Sequence, residues 1–121
     1  MTRRLRILVV DDEPDAVLTL TELLRAEGHE AHGLYHGADV AAAMQAFDPD
    51  VVLLDLAMPD RSGWEVAREI RATHGHRPVL IAISGLYRQS AEGILAAMGD
   101  FNYYIAKPCD PSALISLLAH V

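Results

Sequence analysis

Short apolar runs alternate along this chain with longer stretches in which apolar residues recur every three or four positions. Four runs stand out, at residues 7–10 (ILVV), 51–54 (VVLL), 79–83 (VLIAI) and 103–106 (YYIA). Each is short, rich in β-branched or aromatic side chains, and bounded by turn-forming residues, which favours strands over segments of buried helix. A weaker fifth candidate, HEAHGLY at residues 29–35, alternates in polarity and suits a partly exposed edge strand.

Helical spacing fills the intervals. Behind Pro14, which is tolerated in a first turn, Val17, Leu20, Leu23 and Leu24 mark one face, and Gly28 is placed to stop the helix. Residues 38–47 carry Val40, Ala43, Met44 and Phe47 at helical spacing before Asp48-Pro49. A third helix is expected after Gly63, through Trp64, Ala67 and Ile70, and residues 90–98 and 112–119 supply two more. Strand–helix alternation of this kind implies a parallel sheet covered on both faces. Right-handed crossovers narrow the topologies, and an open doubly wound five-stranded sheet of order 2-1-3-4-5 fits, with the amphipathic second strand on an edge.

Composition bounds what such a domain does. A length of 121 residues suits one domain, and 51% hydrophobic content gives it an ordinary core. The single cysteine, Cys109, excludes an internal disulfide and suits a reducing compartment. The N-terminal MTRRLRILVVDD sets basic residues before an apolar run, as a signal peptide does, but that run is short and ends in acids. No segment approaches the roughly 20 apolar residues that span a bilayer. A net charge of −7 speaks against direct binding to nucleic acid, whose phosphates reward a basic face. The expected setting is the cytoplasm, away from membranes.

The chemistry gathers at the strand ends. Ligands of an open parallel sheet bind beyond the carboxyl ends of its strands, where the order reverses. The residues closing the runs are Asp11 and Asp12, Asp55, Ser84 and Lys107. A carboxylate directly behind VVLL needs a partner, because burying an unpaired charge is costly. Three clustered carboxylates need more positive charge than one lysine supplies. Oxygen ligands in a small hydrated site favour Mg²⁺, or Mn²⁺, over zinc. A carboxylate nucleophile, a divalent cation, a lysine and a hydroxyl together suit phosphoryl transfer through an aspartyl-phosphate.

At these residues the chain resembles the receiver domains of two-component response regulators. LVVDDEP, VVLLDLAMPDRSGWE, IAISG and YYIAKP carry the resemblance, in that order and over nearly the whole chain. It implies a flavodoxin-like receiver fold over residues 1–121, with no effector domain in the chain. It further implies that Asp55 is the phosphoacceptor, Asp12 a Mg²⁺ ligand and Asp11 its acidic neighbour, with the Ala57 carbonyl as a further metal contact. Ser84 takes the place of the switch hydroxyl, Lys107 that of the family's lysine, and Tyr104 that of the switch aromatic, Tyr103 being its neighbour. A cis bond before Pro108 is implied too. The donor would be a histidine kinase or a histidine phosphotransfer protein. The responding surface would be that of residues 90–98, the last strand and the last helix, read by a downstream protein. Ala57 and Leu86 would flank the path of a hydrolytic water.

Blander readings compete. Asp11-Asp12-Glu13 taken alone is an acidic helix cap, and Lys107-Pro108 a strand terminator. His32 with His36, and His74 with His76, have metal-like spacings but no cysteine nearby to complete a zinc set. No base is evident to make Cys109 a nucleophile. A Mg²⁺-dependent phosphohydrolase would need an acid two residues after its nucleophile to protonate the leaving group, and Ala57 stands there. A degenerate receiver, serving only as an interaction module, would not need the complete set of acids, hydroxyl and lysine.

Overall fold

The structure is a computed structural model and describes residues 3–85 and 99–121. The elements are β1 (Arg6–Val10), α1 (Pro14–Ala26), β2 (Glu30–Leu34), a 3₁₀ turn (Gly37–Asp39), α2 (Val40–Phe47), β3 (Val51–Asp55), α3 (Gly63–His74), β4 (Val79–Ser84), β5 (Tyr103–Ala106) and α4 (Pro111–Leu118). The strands form one parallel sheet in the order β2-β1-β3-β4-β5, as the alternating pattern predicts. The helix expected over residues 90–98 lies outside the described residues.

Both faces of the sheet are buried, which explains why β1, β3 and β4 are apolar at nearly every position rather than at alternate ones. Ile7, Val9, Val51, Leu53, Ile81 and Ile83 point to one side, where Leu20 and Leu24 of α1 and Leu114 and Leu118 of α4 cover them. Leu8, Val10, Val52, Leu54, Leu80 and Ala82 point to the other, against Val40 and Met44 of α2 and Val66, Ala67 and Ile70 of α3. Polar residues are thereby displaced to the strand ends.

The edge strand β2 is managed by α1. Glu30 N–H donates to Leu5 O, and Leu34 O accepts from Asp11 N–H, so alternation turns the Ala31 carbonyl toward the open edge. The Arg25 guanidinium caps that carbonyl from Nε at 3.1 Å and Nη2 at 2.7 Å. Such covering blunts an edge that would otherwise template further strands. Gly33 is required beside it, because a Cβ there would overlap Val17 Cγ1 of α1. Gly28, at φ +91°, provides the positive-φ turn that the sequence marks as the stop of α1.

One helix differs from its expected form. Residues 38–47 do not run as a single helix: the segment starts with the Gly37–Asp39 3₁₀ turn and becomes α-helical at Val40. The cause is distant in sequence, since the Asp60 carboxylate accepts from Gly37 N–H and Ala38 N–H and fixes this first turn.

At the opposite pole Arg71 of α3 joins three segments. Its guanidinium donates to Asp100 O (2.9 Å), Pro78 O (2.7 Å), Gly75 O (3.0 Å) and Asn102 Oδ1 (2.8 Å). Asn102 Oδ1 also accepts from Leu80 N–H at 2.9 Å, which ties the entries of β4 and β5 together. Arg71→Ala should therefore lower unfolding free energy in urea by about 2–3 kcal/mol, since several carbonyls lose a charged donor together. Arg71→Lys should recover less than half, because an ammonium cannot reproduce the planar fork. A loss below about 0.5 kcal/mol for the alanine variant, the size of an ordinary surface change, would show that this junction is not a clamp.

Candidate functional site

The sheet brings its polar strand ends together. Asp11 and Asp12 follow β1, Asp55 closes β3, Ser84 closes β4, and Lys107 follows β5. Parallel register keeps these positions level: Val10 pairs with Leu54, Asp55 with Ile83, and Ser84 with Ala106. Lys107 N–H then donates to Ser84 O at 2.8 Å, joining the ends of the last two strands. The Lys107–Pro108 bond is cis, as the resemblance implies.

Asp11 and Asp55 are buried, at 2% and 3% relative exposure, whereas Asp12 is more open to solvent. Lys107 Nζ lies 3.0 Å from Asp11 Oδ2 and 3.4 Å from Asp55 Oδ2. Backbone amides hold the other oxygens: Glu13 N–H donates to Asp11 Oδ1 and Ala57 N–H to Asp55 Oδ1, each at 3.0 Å. Gly63 makes the Asp55 corner possible, because a Cβ there would sit 2.5 Å from Asp55 O and 2.8 Å from Leu56 Cα. The start of α3, capped by Ser62 Oγ accepting from Glu65 N–H, is thereby pressed against the end of β3.

Electrostatically the pocket has too little positive charge. Burial pushes the Asp55 carboxyl up to about 6; the Ala57 N–H opposes this, the Asp11 charge reinforces it, and Lys107 counteracts it in part. For Lys107, burial alone would lower the pKa, but the hydrogen bond to Asp11 and the field of Asp55 outweigh it and raise it. One ammonium thus serves two buried carboxylates and leaves a third beside them. Carboxylate oxygens of Asp11, Asp12 and Asp55 lie within 4.8 Å of one another. An oxygen-only donor set that lacks positive charge fits a hard divalent cation such as Mg²⁺. Among the described residues this is the one group of three or more His, Cys, Asp and Glu side chains close enough to share an ion, and neither histidine pair belongs to it. His32 instead stacks on the Phe47 ring, with centroids 4.1 Å apart.

Other expected residues fall into place around this centre. Ser84 is buried at 2% exposure. Tyr104 pairs with Ala82 and packs on the α2–α3 side of the sheet, the side to which alternation turns Ser84, while Tyr103 packs on the α1–α4 side. Leu86 lies outside the described residues. A cavity of about 500 Å³ opens beside the acid–lysine pair, between α1 and the Lys107–Cys109 segment, with Leu20, Ile83 and Pro108 in its walls. Cys109 also lines it, and burial raises its thiol pKa, which disfavours the nucleophilic thiolate. Sequence reasoning missed Asp60, whose partners Gly37 and Ala38 stand more than twenty residues away. Its one local signal is an acid directly behind Pro59 in a turn-rich stretch.

An acidic pocket with a lysine at the carboxyl edge of a 2-1-3-4-5 sheet defines a class of phosphorylation-dependent signalling modules, and comparison with known proteins gives the family. The chain belongs to the response regulator receiver domains, whose family model matches residues 7–119. It is 34% identical over 115 residues to the DNA-binding response regulator MtrA of Mycolicibacterium smegmatis, covering 95% of this chain and 49% of that one. The chain thus spans about half the length of the curated MtrA relatives it matches. Among solved structures it resembles the response regulator TrrA of Thermotoga maritima in complex with Mg²⁺-BeF (31% identity, TM-score 0.82, covering 95% of this chain and 96% of that chain). It also resembles a CheY-like receiver domain from Methylobacillus flagellatus (29% identity, TM-score 0.84, covering 98% of each chain). Among the described residues no helix is long and apolar enough to cross a membrane.

The raised pKa of Asp55 has a consequence for stability. Its carboxyl titrates near 3.8 when unfolded and near 6 when folded, so folding favours the protonated form. That contribution is complete below about 3.8 and is lost as pH rises through about 6. In chelator, Asp55→Asn should therefore gain stability relative to the natural protein as pH rises from about 4 to about 7, and then level off. Urea unfolding across this range measures it. A constant difference between the two proteins would mean that Asp55 is not electrostatically stressed.

Proposed function

We propose that this chain is a phosphoryl-accepting switch whose acceptor is Asp55. The carrying observation is the buried Asp11–Asp55 pair sharing Lys107 Nζ at 3.0 and 3.4 Å, with Asp12 beside it. The donor is a phosphohistidine on a histidine kinase or a histidine phosphotransfer protein. A carboxylate oxygen of Asp55 attacks phosphorus, the P–N bond breaks, and its electron pair returns to the imidazole nitrogen. Because such transition states are loose, the protein contributes chiefly position and charge neutralisation.

The residues divide this work. Asp12 and Asp55, with the Ala57 carbonyl, would hold Mg²⁺ (Mn²⁺ being an alternative), and Asp11 supports them through its charge. Bound there, the ion supplies positive charge to the phosphoryl oxygens. Lys107, raised in pKa and held by Asp11, stays protonated and supplies a second positive charge. The relative TrrA, solved in complex with Mg²⁺-BeF, supports Mg²⁺ as the ion. Ala57 leaves no acid where a phosphohydrolase would need one, so the carboxyl phosphate serves as a signal and not as an intermediate of turnover.

Phosphorylation adds one to two negative charges and new acceptor oxygens at Asp55. The Ser84 hydroxyl and Lys107 respond to them. Tyr104 follows, since it lies on the same side of the sheet two register positions from Ser84, a placement that favours it over Tyr103 as the switch aromatic. The change would emerge on β5 and α4, and in residues 90–98, to be read by a downstream protein. The MtrA relatives are DNA-binding response regulators, but a net charge of −7 argues against direct DNA binding by this chain. A reducing cytoplasm is the setting proposed for it.

A small phosphodonor with Mg²⁺ should add one base-labile phosphoryl group, visible by intact-mass spectrometry. Asp55→Asn should abolish it while retaining the fold; undiminished labelling would remove Asp55 from its role. Mg²⁺ at ten times its Kd should stabilise the protein by about 1.4 kcal/mol. Asp12→Ala should lose most of that gain, and an unchanged titration would show that Asp12 is no ligand.

A further inference from the structure

The segment after the acceptor, residues 56–62, is fastened to an unrelated part of the chain. Asp60 spreads its two carboxylate oxygens over successive amides, with Gly37 N–H donating to Oδ1 at 3.2 Å and Ala38 N–H to Oδ2 at 3.0 Å. These hydrogen bonds, that to Ala38 first, hold the Asp60 carboxyl below the ordinary carboxylate range, so it is an ionised acceptor at neutral pH. The two segments also lie flush. A Cβ at Gly37 would come within 3.1 Å of Arg61 Cβ and 3.4 Å of Met58 Cε.

This fastening closes a ring around the acidic pocket. On one side, Asp11 N–H donates to Leu34 O at the end of β2, and three residues later the chain reaches Gly37. On the other, Asp55 Oδ1 accepts from Ala57 N–H, and three residues later the chain reaches Asp60. The bonds from Gly37 and Ala38 to Asp60 join the two arms. Arg61, next in sequence, ion-pairs with Glu65 and Glu69 of α3 and anchors the same loop on its other flank. Among the described residues these two bonds are the hydrogen bonds that join the two arms at this point.

From this ring we infer that Asp60 is a positioning residue for the divalent-cation pocket, setting the distance between the Asp11–Asp12 arm and the Ala57 arm without touching the ion. The inference rests on the site proposed above. It is specific to geometry, because a carboxylate near the pocket could instead attract a cation merely through its charge. The two effects separate by ionic strength: attraction through charge is screened by salt, whereas a geometric effect is not. Asparagine keeps an acceptor oxygen for only one of the two amides, because its NH₂ group cannot accept from the other.

The test is calorimetric Mg²⁺ titration of the whole chain at pH 8, together with urea unfolding in chelator. Asp60→Ala should weaken Mg²⁺ binding about five-fold relative to the natural protein, in low and in high salt alike, and Asp60→Asn, which keeps one of the two bonds, should weaken it less. A merely structural role would lower unfolding stability and leave the Mg²⁺ Kd unchanged, and that result would overturn the inference. A weakening by Asp60→Ala that disappears in high salt would assign the effect to charge and overturn it as well. Should Asp60→Ala not fold, Asp60→Ser, whose side chain is too short to reach both amides, takes its place with the same five-fold expectation. Asp12→Ala separates this inference from the site on which it rests. If Asp12→Ala loses Mg²⁺ binding and Asp60→Ala does not, the site stands and the ring fails. If the natural protein and Asp12→Ala titrate alike, both fail.

Discussion

One ammonium group between two buried carboxylates holds this molecule's chemistry in place. Lys107 Nζ reaches Asp11 and Asp55 only because β1, β3 and β5 run parallel in register and end at the same level. If any of these strands slipped by one residue, its alternating side chains would exchange faces and its terminal polar group would miss the cluster. The apolar covering on both faces of the sheet is therefore a condition of the site as well as of stability. It forces acids, hydroxyl and lysine to the one edge where water and partners reach them.

The cluster is a deliberate imbalance. A fold selected for stability alone would not set Asp55 in a place where burial lifts its pKa to about 6. Such stress is expected where titratable groups are arranged for function. It leaves the pocket short of positive charge, a deficit that, on the proposed reading, a cation would fill and a phosphoryl group would change. The family to which the chain belongs is one of phosphorylation-dependent switches, and the deficit gives a physical reason why this member would respond to charge at Asp55.

Much of this was legible in the chain. Runs such as VVLL announce strands buried on both faces, the alternating residues 29–35 announce an edge, and the strand-end rule gathers Asp11, Asp12, Asp55, Ser84 and Lys107. Side-chain bonds spanning long sequence separations were not legible. Nothing local says that Asp60 caps a turn at Gly37, or that Arg71 seeks Asn102, thirty-one residues on. The Gly37–Asp39 3₁₀ turn escaped for the same reason, because alanine-rich spacing reads as continuous helix until a distant carboxylate claims its first amides. Periodicity reports which face a residue occupies. It does not report which distant polar group meets it there.

The central claim is that Lys107 and a divalent cation compensate the same carboxylates, and Lys107→Ala tests it most directly. Removing the ammonium leaves Asp11 and Asp55, with Asp12 beside them, without the one cationic partner they share among the described residues. At pH 8, above the Asp55 value of about 6, Mg²⁺ should then bind severalfold more tightly than to the natural protein, measured by calorimetry at low salt. Unchanged or weaker binding would contradict the account, because it would show that the lysine and the ion do not answer the same excess of negative charge.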